Sequence, residues 1–121
     1  MARRGARAAA AEVVFSPDDR RVAYTVRAER GQAGIACDER IFPFDVVVET
    51  SVAFSNDSHH WGAVIGDLGR RRLSVVVDGQ HRLPFDSEEL FGAAAERAGD
   101  AIALRDWVSA ALESDLRGDR R

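Results

Sequence analysis

With 121 residues the chain is long enough for one hydrophobic core and too short for two independent ones. Hydrophobic residues make up 45% and charged residues 31%, the composition of an ordinary folded domain, and a net charge of -3 supplies no long-range attraction to nucleic acid or to an anionic membrane. No apolar run approaches the roughly 18 residues of a membrane span, and the single cysteine, Cys37, excludes an internal disulfide and fits a reducing compartment, so the cytoplasm is the expected location.

Residues 1–12 carry Arg3, Arg4 and Arg7 and then Ala8 to Ala11. Without a core of Leu, Val or Phe they read as a basic, alanine-rich arm or short helix rather than a signal peptide. Residues 13–86 hold an internal repeat. Phe15-Ser16-Pro17-Asp18-Asp19-Arg20-Arg21-Val22 is echoed 39 residues later by Phe54-Ser55-Asn56-Asp57-Ser58-His59-His60-Trp61. Ile35-Ala36-Cys37-Asp38-Glu39 then aligns with Val75-Val76-Val77-Asp78-Gly79 at an offset of 40, and Pro43-Phe44-Asp45 with Pro84-Phe85-Asp86 at 41. A period near 40 suggests repeat architectures, propeller blades among them.

Each copy opens on turn chemistry, because Ser, Asp and Asn side chains accept local backbone hydrogen bonds and Pro17 presets φ. Strands are expected at Val22–Arg27 and His60–Ile65, and second strands around Ala33–Cys37 and Leu73–Val77. Asp78-Gly79 suits a type I′ hairpin turn and should reverse the chain into His81–Phe85. Its counterpart in the first copy runs from Ile41 to Phe44, with a further strand at Val46–Glu49 before Ser51–Phe54. The unbroken runs Val46-Val47-Val48 and Val75-Val76-Val77 predict strands sheltered from water on both faces.

These residues resemble a known family. Phe15–Tyr24, the related Phe54–Ile65, the Val-Val-Asp-Gly step ending at Gly79 and Pro84-Phe85-Asp86 look like the WD40-like β-propeller repeat of TolB-type proteins, over residues 14 to 86. The resemblance implies blade-like antiparallel sheets, usually of four strands, in assemblies that serve as interaction platforms. Two units cannot close a ring. Their apolar sides must then be sheltered by the C-terminal helices, by association of several chains, or by repacking into a different α+β fold.

After Asp86 the apolar period changes from two to about 3.6. Ser87 is placed to cap a helix with Glu88 and Glu89 in its first turn and a stripe of Leu90, Phe91, Ala94, Ala95 and Ala98. Gly99-Asp100 interrupts the pattern. A second helix follows over Ala101–Leu116, expected to bury Ile102, Leu104, Trp107, Val108, Ala111 and Leu112 and to solvate Arg105, Asp106, Glu113 and Asp115. The expected architecture is a single domain, mainly β with C-terminal helices (α+β): an arm over 1–12, two blade-like antiparallel units over 13–86, and a helical tail over 87–117 that caps them unless oligomerisation completes them.

His59-His60-Trp61 with Asp57 is the most reactive-looking cluster, and acid–base or metal chemistry there would need a third group such as His81. Yet His59 and His60 occupy the positions of Arg20 and Arg21, which favours polar residues at a turn. Asp18, Asp38, Asp57 and Asp78 recur with the turns and read as their stabilisers. Cys37 aligns with Val77 and reads as a small buried hydrophobe. Arg70-Arg71-Arg72 is a basic turn, read as a solvated loop ahead of a phosphate patch. Tyr24, Trp61 and Trp107 are the residues suited to lining a ligand pocket.

No phosphate loop, nucleophile elbow or zincin helix is present. The reading is therefore a non-enzymatic scaffold or protein-interaction module that self-associates or docks a protein partner, with no cofactor, metal, nucleic acid or membrane. The alternative is a small-molecule-binding protein or enzyme with a cavity between sheet and helices.

Overall fold

The computed structural model describes residues 13–27, 33–48, 50–97 and 99–116; the arm expected over 1–12 and the last residue of the helical tail expected over 87–117 lie outside them. Four strands form the first sheet: β1 (Val13–Phe15), β2 (Val22–Arg27), β3 (Ala33–Cys37) and β4 (Arg40–Phe44), antiparallel and in chain order. The second sheet contains β5 (Val46–Val47), β6 (Ala53–Phe54), β7 (Trp61–Asp67), β8 (Arg72–Val77) and β9 (His81–Arg82). β5 and β6 both pair with β7, so together they act as one interrupted edge strand, and the second sheet repeats the meander of the first.

The interruption has a chemical cause. Val48 N–H still donates to Val64 O, after which the chain leaves the ladder. The buried Ser51 hydroxyl then takes over, accepting from Val64 N–H at 3.0 Å and donating to Val48 O at 2.6 Å. One side chain thereby satisfies backbone groups that a continuous strand would have paired.

The molecule is three layers deep. Ala23, Ile35 and Cys37 on one face of the first sheet pack against Phe54, Trp61, Ala63, Ile65 and Val76 of the second. The opposite face of the second sheet, with Val64, Val75 and Val77, lies under Leu90 of α1 (Ser87–Glu96) and Val108, Ala111 and Leu112 of α2 (Ala101–Leu116). Val75-Val76-Val77 is thus dry on both faces, as its unbroken run predicts: Val76 points between the sheets and its neighbours point at the helices. Val46, Val47 and Val48 are only half-buried, because their short strand lies at the sheet edge.

The helices differ in detail from the expectation. Asp86, not Ser87, caps α1, its carboxylate accepting from Glu89 N–H at 2.8 Å, while the Ser87 hydroxyl accepts from Leu73 N–H on β8. Ala98 of the expected α1 stripe lies outside the described residues; of the other members only Leu90 is buried, and Phe91 is exposed, because the helix touches the sheet along a single line. Ile102 is likewise exposed. Arg105 and Glu113, expected in solvent, hold α2 to the second sheet: Arg105 donates to Val52 O at 3.2 Å and Glu113 accepts from Asn56 N–H. α2 sits so close that a Cβ on Gly62 would approach Leu112 Cδ2 to 2.9 Å. The strand expected over His81–Phe85 ends at Arg82, where Leu83 turns into the helix-side core and Pro84, lacking an N–H, follows.

Candidate functional site

The two opening turns carry the same hydrogen bonds. Ser16 Oγ donates to Asp18 Oδ1 at 2.6 Å and accepts from Arg21 N–H; Ser55 Oγ does the same with Asp57 and His60. Arg20 N–H and His59 N–H each donate to the aspartate of their turn, and Asp19 and Ser58 share a positive φ of 62 and 66. The serine hydrogen bond is the main reason both aspartates titrate below the usual carboxylate range. The next turns also agree: Asp38 and Glu39 have φ of 55 and 68, Asp78 and Gly79 of 56 and 81, the double positive φ of a type I′ turn.

This parallel explains the histidines. His60 Nδ1 lies 2.6 Å from Asp78 Oδ2, and Arg21 pairs with Asp38 at the equivalent position, so the His60–Asp78 pair is the second unit's version of a strand-to-turn tie. Asp78 also accepts from Trp61 N–H, which fixes the turn to β7. His59 is largely exposed and 3.6 Å from Asp57. His81 is exposed on β9, paired in register with Val77, and no hydrogen bond or ion pair among the described residues joins it to the other two. Among the described residues no three His, Cys, Asp or Glu side chains converge as metal ligands.

Arg21 extends its tie across the layers, which sequence reasoning missed. Its guanidinium donates to Ser58 O at 3.0 Å and His59 O at 2.8 Å while the ring of Phe54 lies beneath it. Asp18 N–H adds a bond to Ser58 Oγ. Cys37 is buried between the sheets, and that burial raises its thiol pKa, which disfavours the nucleophilic thiolate.

The aromatic candidates go to three different places. Trp61 is 2% exposed and wedged between the sheets against Phe42. Trp107 packs on Phe85 under the helices. Tyr24 lies on the outer face of the first sheet, and there the apolar surface is open. Strand register puts Val13, Phe15, Val22, Tyr24, Val26, Ala36 and Ile41 on that one side. Val13, Phe15 and Ile41 are 51%, 62% and 65% exposed.

The repeat shows what this face corresponds to. Phe15, Val22, Tyr24, Val26 and Ala36 are equivalent to Phe54, Trp61, Ala63, Ile65 and Val76, which in the second sheet are covered by the first. The same surface is therefore presented twice and covered once. Comparison with family models, with curated proteins and with solved structures finds no match for the chain.

Proposed function

We propose that the chain is a non-enzymatic protein-interaction module whose docking surface is the outer face of the first sheet, and that the occupant is a second copy of the chain. One observation carries this reading: Phe15, Val22, Tyr24, Val26 and Ala36 of the open face are equivalent to residues that the same chain covers with a β-sheet, while Ile41 corresponds to the exposed Arg82. Its chemistry suits an apolar sheet, since among the described strand residues on this face the Tyr24 hydroxyl is the one polar side-chain group. The far face of the second sheet is closed by α1 and α2, so stacking through that side is blocked. A two-fold pairing of open faces is then the arrangement that closes on itself.

The size of the face sets the strength. Four strands about 4.8 Å apart, over about five residues at about 3.3 Å each, present roughly 300 Å². A standard interface takes about 800 Å² from each partner, so the association is weak and concentration-dependent. The rival reading, a cavity between sheet and helices, has less support, since Val64, Val75, Leu90, Val108 and Leu112 pack into that layer.

Light scattering across a concentration series tests the proposal. The wild type should rise above 13.2 kDa as concentration increases, and the Phe15→Arg, Ile41→Lys double variant should remain at 13.2 kDa. A wild-type mass fixed at 13.2 kDa up to millimolar concentration sinks the self-association.

A further inference from the structure

The hairpin end of the second sheet holds a pocket that the docking face does not use. Arg70 in the β7–β8 turn, Arg72 on β8 and Arg82 on β9 line one concavity of about 250 Å³, with Ser74 on its polar wall and Leu83 and Phe85 as its apolar part. The fold assembles the set. Arg72 and Ser74 alternate onto one side of β8, and Arg82 sits opposite Val76, two residues further along the same side. Because β9 pairs only with Val76 and Val77, the Arg72–Ser74 stretch of β8 has no strand on its edge away from β7, and the pocket opens there.

The charges are not balanced locally. Asp67 is the one carboxylate among the lining residues, and it is already engaged by Arg70, through its N–H at 3.2 Å and Nε at 3.8 Å. The guanidinium groups of Arg72 and Arg82 have no hydrogen bond or ion pair among the described residues. A concave wall with three guanidiniums and one carboxylate concentrates positive potential despite the chain's net charge of -3. Planar guanidinium forks bind phosphate oxygens bidentately.

We infer that this pocket binds a small phosphate monoester, its dianionic group held by Arg72 and Arg82 and its short organic body resting on Leu83 and Phe85. A dianion matches the excess of two positive charges, and the volume leaves room beyond the phosphate group itself. The basic turn supplies only part of the site. Arg82 comes from a separate strand, and Arg71, which has φ 54, lines a different depression with Leu68 and Phe91.

Amide chemical-shift titration with glycerol 3-phosphate, with glycerol and sodium chloride as controls at matched ionic strength, tests the inference. Saturable one-site shifts around β8 and β9 are expected with glycerol 3-phosphate and not with the controls. Arg72→Ala and Arg82→Ala should each weaken binding at least tenfold, Arg82→Lys should weaken it less, and Arg71→Ala should leave it unchanged. All three side chains are exposed, and unchanged melting curves verify that the four variants are folded. Non-saturating shifts, equal loss in Arg71→Ala, or tighter binding of a single-stranded oligonucleotide than of the monoester would each overturn it.

Discussion

Thr25 sits between the two sheets, 6% exposed, and its hydroxyl has no hydrogen-bond partner among the described residues. The equivalent residue in the second unit is Val64, also buried. Replacing Thr25 by valine removes an unpaired buried hydroxyl at nearly constant volume, so Thr25→Val should stabilise the protein by about 1 kcal/mol in urea unfolding. Unchanged or lower stability would mean that the hydroxyl is satisfied. The type I′ turns offer a matched pair of tests. Glu39 holds a φ of 68 that favours glycine, and Glu39→Gly should gain up to about 1 kcal/mol. Gly79 holds φ 81 beneath the ring of Phe42, where a Cβ would fall 2.2 Å from Cδ2. Gly79→Ala should therefore cost about 2–4 kcal/mol, from strain and overpacking together.

The opening turns tie sequence to pH dependence at the same scale. Asp18 and Asp57 have folded pKa values below their ordinary one, chiefly through Ser16 and Ser55. A depressed folded pKa contributes stability that is complete above the unfolded value and is lost as pH falls through the folded value. Thermal melts of Asp57→Asn should thus lie below wild type at neutral pH and converge with it as pH falls below the carboxylate range. A gap that stays constant with pH would refute the linkage.

Among the elements, the interrupted edge strand depends most on a single side chain. Ser51 supplies the hydroxyl that accepts from Val64 N–H inside the core. Ser51→Ala leaves that donor buried without a partner and should cost about 1–3 kcal/mol. Hydrogen exchange should show Val64 losing protection while the β7–β8 ladder beyond it keeps its own. The sequence marked Val46–Glu49 as a strand, and of its described residues only Val46–Val47 form one, since local pattern does not disclose where a hydroxyl will replace a ladder bond. The helices show the same limit: α2 falls over Ala101–Leu116 as its period requires, yet which members of its apolar face are covered depended on where the sheet lay.

For the whole molecule, the order of layers governs which surface remains for a partner. The back of the first sheet covers the front of the second, and the helices cover the back of the second. The first sheet's front is left over. Trp61 is the largest fully buried side chain in this stack, and Trp61→Ala should cost about 3–5 kcal/mol. The surface substitutions Phe15→Arg and Ile41→Lys should cost far less, because those side chains are already mostly in water. If Phe15→Arg unfolded the monomer, the outer face would be a core surface rather than a docking one.

What the residues determined by themselves was local. Alternation and turn chemistry located the principal strands, the Asp-Gly hairpin and the equivalence of the two opening turns, because hydrogen bonds from a side chain to its own neighbouring backbone are decided within a few positions. The tertiary structure alone decided which apolar face was covered, that Arg21 would reach the second unit's carbonyls, and that Arg82 would join Arg70 and Arg72. Those outcomes join residues far apart in the chain, and a strand's pattern records that a face is apolar without recording what lies against it.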